Sequence, residues 1–248
     1  MSFELTDRFS LRTFARITGG LYVLYMAASV LANGLGHIGL GDPKQVYGAI
    51  TTNPSSFRLG LLVAFVSAFL FLVTAWGLYV LLRTVNRELA LLFLLLNTVG
   101  VAIQCASMLP LVAALHLADP PGGGLHSFAA PQVNALGHLL ITVYKTGFVT
   151  AQLFFGAWLF PLGYLVYKSG FLPRVLGALL LLDGVAEMVW LVQALLLPTH
   201  PGIRLPGTVV SLLAEVGLAL WLLVKGVRFA GSGAGVPDAA AASDAESS

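Results

Sequence analysis

Charge is what this sequence has least of. Lys, Arg, Asp and Glu make up 10% of its 248 residues, where a soluble domain carries roughly 25%. A water-soluble chain with so few ionic groups could not clothe its own surface, which excludes an ordinary cytosolic enzyme and a disordered protein. Thirteen Lys+Arg against eleven Asp+Glu leave a formal charge of +2, so there is no basic excess of the kind a nucleic-acid partner needs. Cysteine is nearly absent as well. Cys105 stands alone inside an apolar run, so no intramolecular disulfide and no zinc-type spacing can form, and it reads as a small buried hydrophobe. No GxGxxG or Walker loop, no HExxH and no GxSxG elbow occurs, so no cofactor and no catalytic set is implied. No convincing internal repeat is present, which weakens an inverted-repeat transporter reading.

What is present is apolar: hydrophobic residues reach 58% and the mean hydropathy is +0.89. A helix needs about 20 apolar residues to cross the hydrocarbon core. Six stretches qualify, at 14–39, 59–82, 89–117, 136–167, 175–197 and 207–227. The expected fold is therefore all-α, an integral membrane bundle of six transmembrane helices over 14–228. The polar residues 1–13 form a short N-terminal segment. The first apolar stretch outruns the 7–15 residues of a signal-peptide core and reads as a retained span. Residues 229–248 are low in complexity and acidic, and read as a disordered tail.

Orientation follows from Lys and Arg in the short connectors. With six spans, one side holds Arg8, Arg12, Arg16, Arg83, Arg87, Lys168, Arg174, Lys225 and Arg228, while the other holds Lys44, Arg58 and Arg204. Both termini are thus expected in the cytoplasm. The fourth stretch, at roughly 48 Å if fully helical, is too long for the bilayer and must tilt or protrude. Pro161 within it, and Pro110 in the third stretch, each remove a helical hydrogen bond and should bend their helices. Pro173 should start the fifth helix, with Lys168 and Arg174 holding its loop at an anionic surface.

Ionisable groups inside a bilayer cost roughly 2.5–3.5 kcal/mol each at a helix centre on insertion scales. Four fall within spans: Lys145, Asp183, Glu187 and Glu215. Counting residues puts Lys145, Glu187 and Glu215 each about 12–15 Å below the outer surface, with Asp183 one turn deeper on the face of Glu187. Lys145 needs a counter-charge at that level. One cation cannot neutralise three carboxylates, so at least one acid must be neutral or face water, and the acids should titrate as a coupled set. Interhelical fastening by charge pairs is the bland alternative.

Polar residues also recur in stripes. His138, Lys145 and Gln152 follow at seven-residue spacing in the fourth span, as do Asn97 and Gln104 in the third. Ser29, Asn33 and His37 line one face of the first span, and Ser211 and Glu215 one face of the sixth. Lipid would not tolerate these faces, so they should turn inward and line a polar cavity in the outer half, with a plain hydrogen-bond network as the competing account. Tyr22, Tyr25, Trp76, Tyr79, Tyr164, Tyr167 and Trp221 fit an interfacial aromatic belt. Trp190, near Glu187, suits either core packing or the wall of a site. His37, His116, His126, His138 and His200 all lie in the outer half, but none has metal-ligand spacing, so no metal is assigned.

Several segments together resemble a known family: Arg16-Ile17-Thr18-Gly19-Gly20-Leu21-Tyr22; Phe57-Arg58-Leu59-Gly60; Leu78-Tyr79-Val80-Leu81-Leu82-Arg83 with Val85-Asn86-Arg87; Gly147-Phe148; Phe154-Phe155-Gly156; Leu162-Gly163-Tyr164; and Ser169-Gly170-Phe171-Leu172-Pro173-Arg174-Val175-Leu176-Gly177. The chain is similar over about 14–228 to the bacterial membrane proteins grouped as domain of unknown function 4386. That resemblance implies a multi-span inner-membrane protein and no defined activity, substrate or cofactor.

Three functions stay open on the residues. The first is a carrier or sensor of a proton, ion or small polar molecule, built on Lys145, Asp183, Glu187 and Glu215 with His138, Gln152, Asn97, Gln104, Asn33 and Ser211 along the path. The second is a non-catalytic structural or accessory membrane subunit. The third is a membrane enzyme using the outer histidines. The expected partners are the lipid bilayer and either a second copy or another membrane protein, with no nucleic acid.

Overall fold

The structure is a computed structural model and describes residues 11–39, 41–118, 129–197, 200, 202 and 205–227. The tail at 229–248, most of the N-terminal segment and His126 lie outside the described residues. The described residues form eight helices and no strand: α1 (Leu11–Gly36), α2 (Pro43–Thr52), α3 (Pro54–Leu82), α4 (Arg87–Ser107), α5 (Leu109–Ala118), α6 (Ala130–Lys168), α7 (Arg174–Leu196) and α8 (Leu205–Val224). Six spans are long and apolar enough to cross a membrane, α4 and α5 together making the third. The protein is an all-α, multi-pass membrane bundle.

Local chemistry sets the helix starts. Asp42 and Gln45 cap α2 reciprocally, the Gln45 N–H donating to Asp42 Oδ1 at 2.9 Å and the Asp42 N–H to Gln45 Oε1 at 2.8 Å, which satisfies two orphan donors at once. Asn53 caps α3 by accepting from the Ser56 N–H, with Pro54 in the first turn where it loses no bond. Asn86 caps α4 through the Leu89 N–H. The third span breaks at Met108, whose N–H donates to the Cys105 carbonyl at 3.2 Å. Pro110 cannot supply the N–H that would carry the helix on through Ala106. By contrast, α6 runs unbroken through the buried Pro161 for 39 residues. It is about 58 Å long at 1.5 Å per residue, so it must tilt or project beyond the hydrocarbon.

The spans pack in a closed ring: α1 on α3, α3 on α4, α4 and α5 on α6, α6 on α7, α7 on α8, and α8 back on α1. The return contact is close because Gly19 of α1 lies against the backbone of Leu222 and Leu223, where a Cβ would collide with main chain. Two buried clusters fill the ring. One holds Tyr22, Phe71, Leu78, Phe93, Trp158 and Leu162, toward the end that carries the start of α1 and the end of α8. The other holds Ile50, Phe57, Leu61, Leu111, Ile141 and Tyr144, at the opposite, distal end beside α2. The outer face of the ring is apolar, with Leu24, Val30, Leu62, Phe69, Leu139, Leu195 and Leu212 exposed, as a lipid-facing surface requires.

Candidate functional site: an intramembrane acidic cavity

Between the two clusters the ring leaves a cavity of about 340 Å³. Each wall is one helical stripe. Tyr25, Ser29 and Asn33 come from α1, Ser67 and Phe71 from α3, Gln104 from α4, and Tyr144, Phe148, Gln152, Phe155 and Trp158 from α6. Glu187 and Trp190 come from α7, and Ser211 and Glu215 from α8. The three- and four-residue steps keep each set on one face. Ser29 and Ser67 join α1 to α3 through their hydroxyls at 2.6 Å.

Six of the ten residues singled out in the sequence therefore line one space: Glu187, Glu215, Gln152, Gln104, Asn33 and Ser211. Asp183 sits behind them at 0% exposure. Ser211 is its polar neighbour across the α7–α8 seam, yet neither Asp183 oxygen reaches hydrogen-bonding geometry with any described residue, and Glu187 Oε2 is also unpartnered. Glu215 has Asp183 and Glu187 as its electrostatic neighbours, and Tyr22 and Tyr25 lie within reach of it. The three carboxyl groups thus lie near enough to feel one another electrostatically. Gln152, at 7% exposure, lines the cavity and makes no hydrogen bond to the described residues.

The other three lie elsewhere. Asn97 is buried in α4 with both amide atoms unpartnered. His138 is exposed at the distal end and stacks on Tyr47 at 4.3 Å between ring centroids. Lys145 reaches the loop after α1, where its amine donates to the Gly39 carbonyl at 2.8 Å. The same amine lies 5.3 Å from the centre of the Tyr144 ring and 5.7 Å from that of Phe148. The Gly39 N–H donates to Tyr144 Oη at 2.7 Å. Both backbone polar groups of Gly39 are thus held by adjacent residues of α6, and Ile38 and Gly39 form the distal roof of the cavity. His37 at φ 54 and Gly39 at φ 99 give this loop two left-handed positions.

Depth counting did not foresee Gly39 as a partner for Lys145, because an axial count registers neither the reach of a lysine nor a loop folding back over the bundle. The aromatic-belt reading also needs correction. Tyr22 is fully buried, and Tyr25 stacks on Phe71 at 4.3 Å inside the ring. Tyr25, Ser67 and Tyr144 are wall residues that hydropathy alone could not single out. The signal that would have found Tyr25 is its four-residue step to Ser29. Among the described residues no group of three His, Cys, Asp or Glu side chains is placed to hold a metal ion.

Comparison with known proteins adds a family and no activity. A family model described as Domain of unknown function (DUF4386) matches residues 17–226. A protein of Archaeoglobus fulgidus, described as uncharacterized, is 28% identical over 157 residues, covering 61% of this chain and 74% of its own length. No solved structure matches.

Proposed function

We propose a function from one premise: this chain belongs to the DUF4386 family, a domain of unknown function whose description assigns no activity. The reading is that the cavity is a solute site, and that the protein carries or senses a proton, an ion or a small polar molecule there. One observation carries it. An apolar bundle keeps Glu187, Glu215 and Gln152 around an internal space of about 340 Å³, although such groups are expensive in a membrane. Packing alone would favour hydrophobic residues of the same volume. The distribution of Lys and Arg supports a cytoplasmic-membrane location with both termini inside, which puts the Gly39 roof of the cavity on the outer side.

A second reading, the accessory membrane subunit, draws support from Lys145. Its bond to the Gly39 carbonyl fastens a loop, as a purely structural lysine would. That reading calls for a partner on co-purification and a cavity closed to water.

Cysteine accessibility separates the two. In a Cys105→Ser background, which removes the native thiol, Ser211→Cys is treated in intact cells with a membrane-impermeant methanethiosulfonate. The solute-site reading expects modification within minutes. A thiol that stays unmodified, together with a stoichiometric co-purifying protein, would hand the case to the accessory subunit.

A further inference from the structure

We infer that the cavity takes a small organic cation, a protonated amine or a quaternary ammonium, in preference to an inorganic ion or an anion. This rests on the reading of the cavity as a solute site and names its ligand class. Charge comes first. Glu187 and Glu215 line the space, Asp183 backs them, and no Lys, Arg or His is among the described lining residues. An anion would meet carboxylates, while the ammonium of Lys145 is held up at the roof by the Gly39 carbonyl.

Ligation comes second. A hard metal cation asks for six or more oxygens converging at short range. The described residues offer no group of three His, Cys, Asp or Glu side chains so placed. Much of the wall is ring instead: Tyr25, Phe148, Phe155, Trp158 and Trp190. Such faces attract an alkylammonium, whose charge is spread over an apolar skin that needs no full hydration shell. The space of about 340 Å³ lies at the lower end of small-molecule sites.

Two independent features point to a missing guest. Asn33 Oδ1 and Glu187 Oε2 both stand at the cavity as buried atoms without a hydrogen-bond partner among the described residues, although buried polar groups are normally satisfied. The protein also displays the interaction on itself. The Lys145 ammonium lies 5.3 Å and 5.7 Å from the centres of the Tyr144 and Phe148 rings, two rings of this same wall. An incoming ammonium group would find the same kind of surface one to two turns deeper, with Glu187 and Glu215 as counter-charge.

The test uses the purified full chain in detergent, with choline and benzylamine as probes and 3,3-dimethylbutan-1-ol as the neutral isostere of choline. Either cation should raise the thermal midpoint, as any ligand selective for the folded state does, and should slow modification of Ser211→Cys at least about fivefold. The alcohol should do neither. Glu215→Gln and Glu187→Gln should each weaken the cation effect about tenfold or more while keeping the elution profile of the parent. Trp190→Ala should weaken it without altering charge. Equal protection by the alcohol overturns the inference, as does protection by calcium or magnesium in place of the ammonium probes. If Ser211→Cys reacts readily and neither cation protects it, the cavity remains a hydrated solute site and only the ligand class falls. If Ser211→Cys does not react at all, the solute-site reading falls with it.

Discussion

Asp183 shows how the site works at the scale of single residues. It is fully buried, and both its oxygens lack a hydrogen-bond partner among the described residues. A buried polar group left unmade costs about 1–3 kcal/mol, so replacing it with an apolar residue of similar size should relieve that cost. Asp183→Leu is expected to raise the thermal midpoint of the purified chain, by an amount equivalent to about 1–3 kcal/mol, while weakening the response to ammonium probes. A residue whose loss stabilises the protein is kept for function. A lowered midpoint would instead mark Asp183 as a fastener between α7 and α8. Much of this level was legible beforehand. Counting along the helices placed Glu187 and Glu215 at one depth because axial rise per residue is nearly constant. What the count could not see was direction around the helix axis and side-chain reach, which is why Lys145 bonding Gly39 was not anticipated.

At the scale of elements, two contacts hold the ring and its roof. Gly19 lets α1 meet the backbone of α8, so Gly19→Val must drive the helices apart. Overpacking of this kind costs about 1–3 kcal/mol, and the expected readout is a lower thermal midpoint with Gly20→Ala, which meets only the Leu223 side chain at 3.7 Å, near neutral. The roof is the loop after α1, tied down by Tyr144 and Lys145. Tyr144→Phe and Lys145→Met should each free one backbone polar group of Gly39. A single hydrogen bond of this kind contributes about 1 kcal/mol, so a thiol at Ile38→Cys should react with an impermeant reagent about fivefold faster in either background. Unchanged reactivity would show that other contacts hold the loop. The break at Met108 was legible from Pro110, since a missing N–H is a property of the residue itself. Pro161 carried the same expectation of a bend, and α6 continues through it as one helix, because neighbouring helices decide whether the flanking turns hold their course.

For the molecule as a whole, the ring of six spans and the asymmetry of basic residues make orientation testable. In the Cys105→Ser background, Thr52→Cys, exposed at the distal end, should react with an impermeant thiol reagent in intact cells. Thr84→Cys, exposed between α3 and α4, should react only after permeabilisation. The reverse pattern would invert the topology and put the Gly39 roof on the cytoplasmic side.

Composition and periodicity by themselves determined that this chain lives in a membrane and how many of its helices are long and apolar enough to cross it. Each of these depends on local quantities, namely apolar length, helical pitch and the cost of charge in hydrocarbon. Only the tertiary structure decided which polar faces meet. The closing of α8 onto α1 brings Glu215 beside Tyr22 and Tyr25, and α6 turns Gln152 and its aromatic rings toward the same space. The same packing lays the Gly39 loop across the distal end. These are contacts between residues far apart in the chain, set by the rotation and closeness of whole helices, and no count along the sequence contains that information.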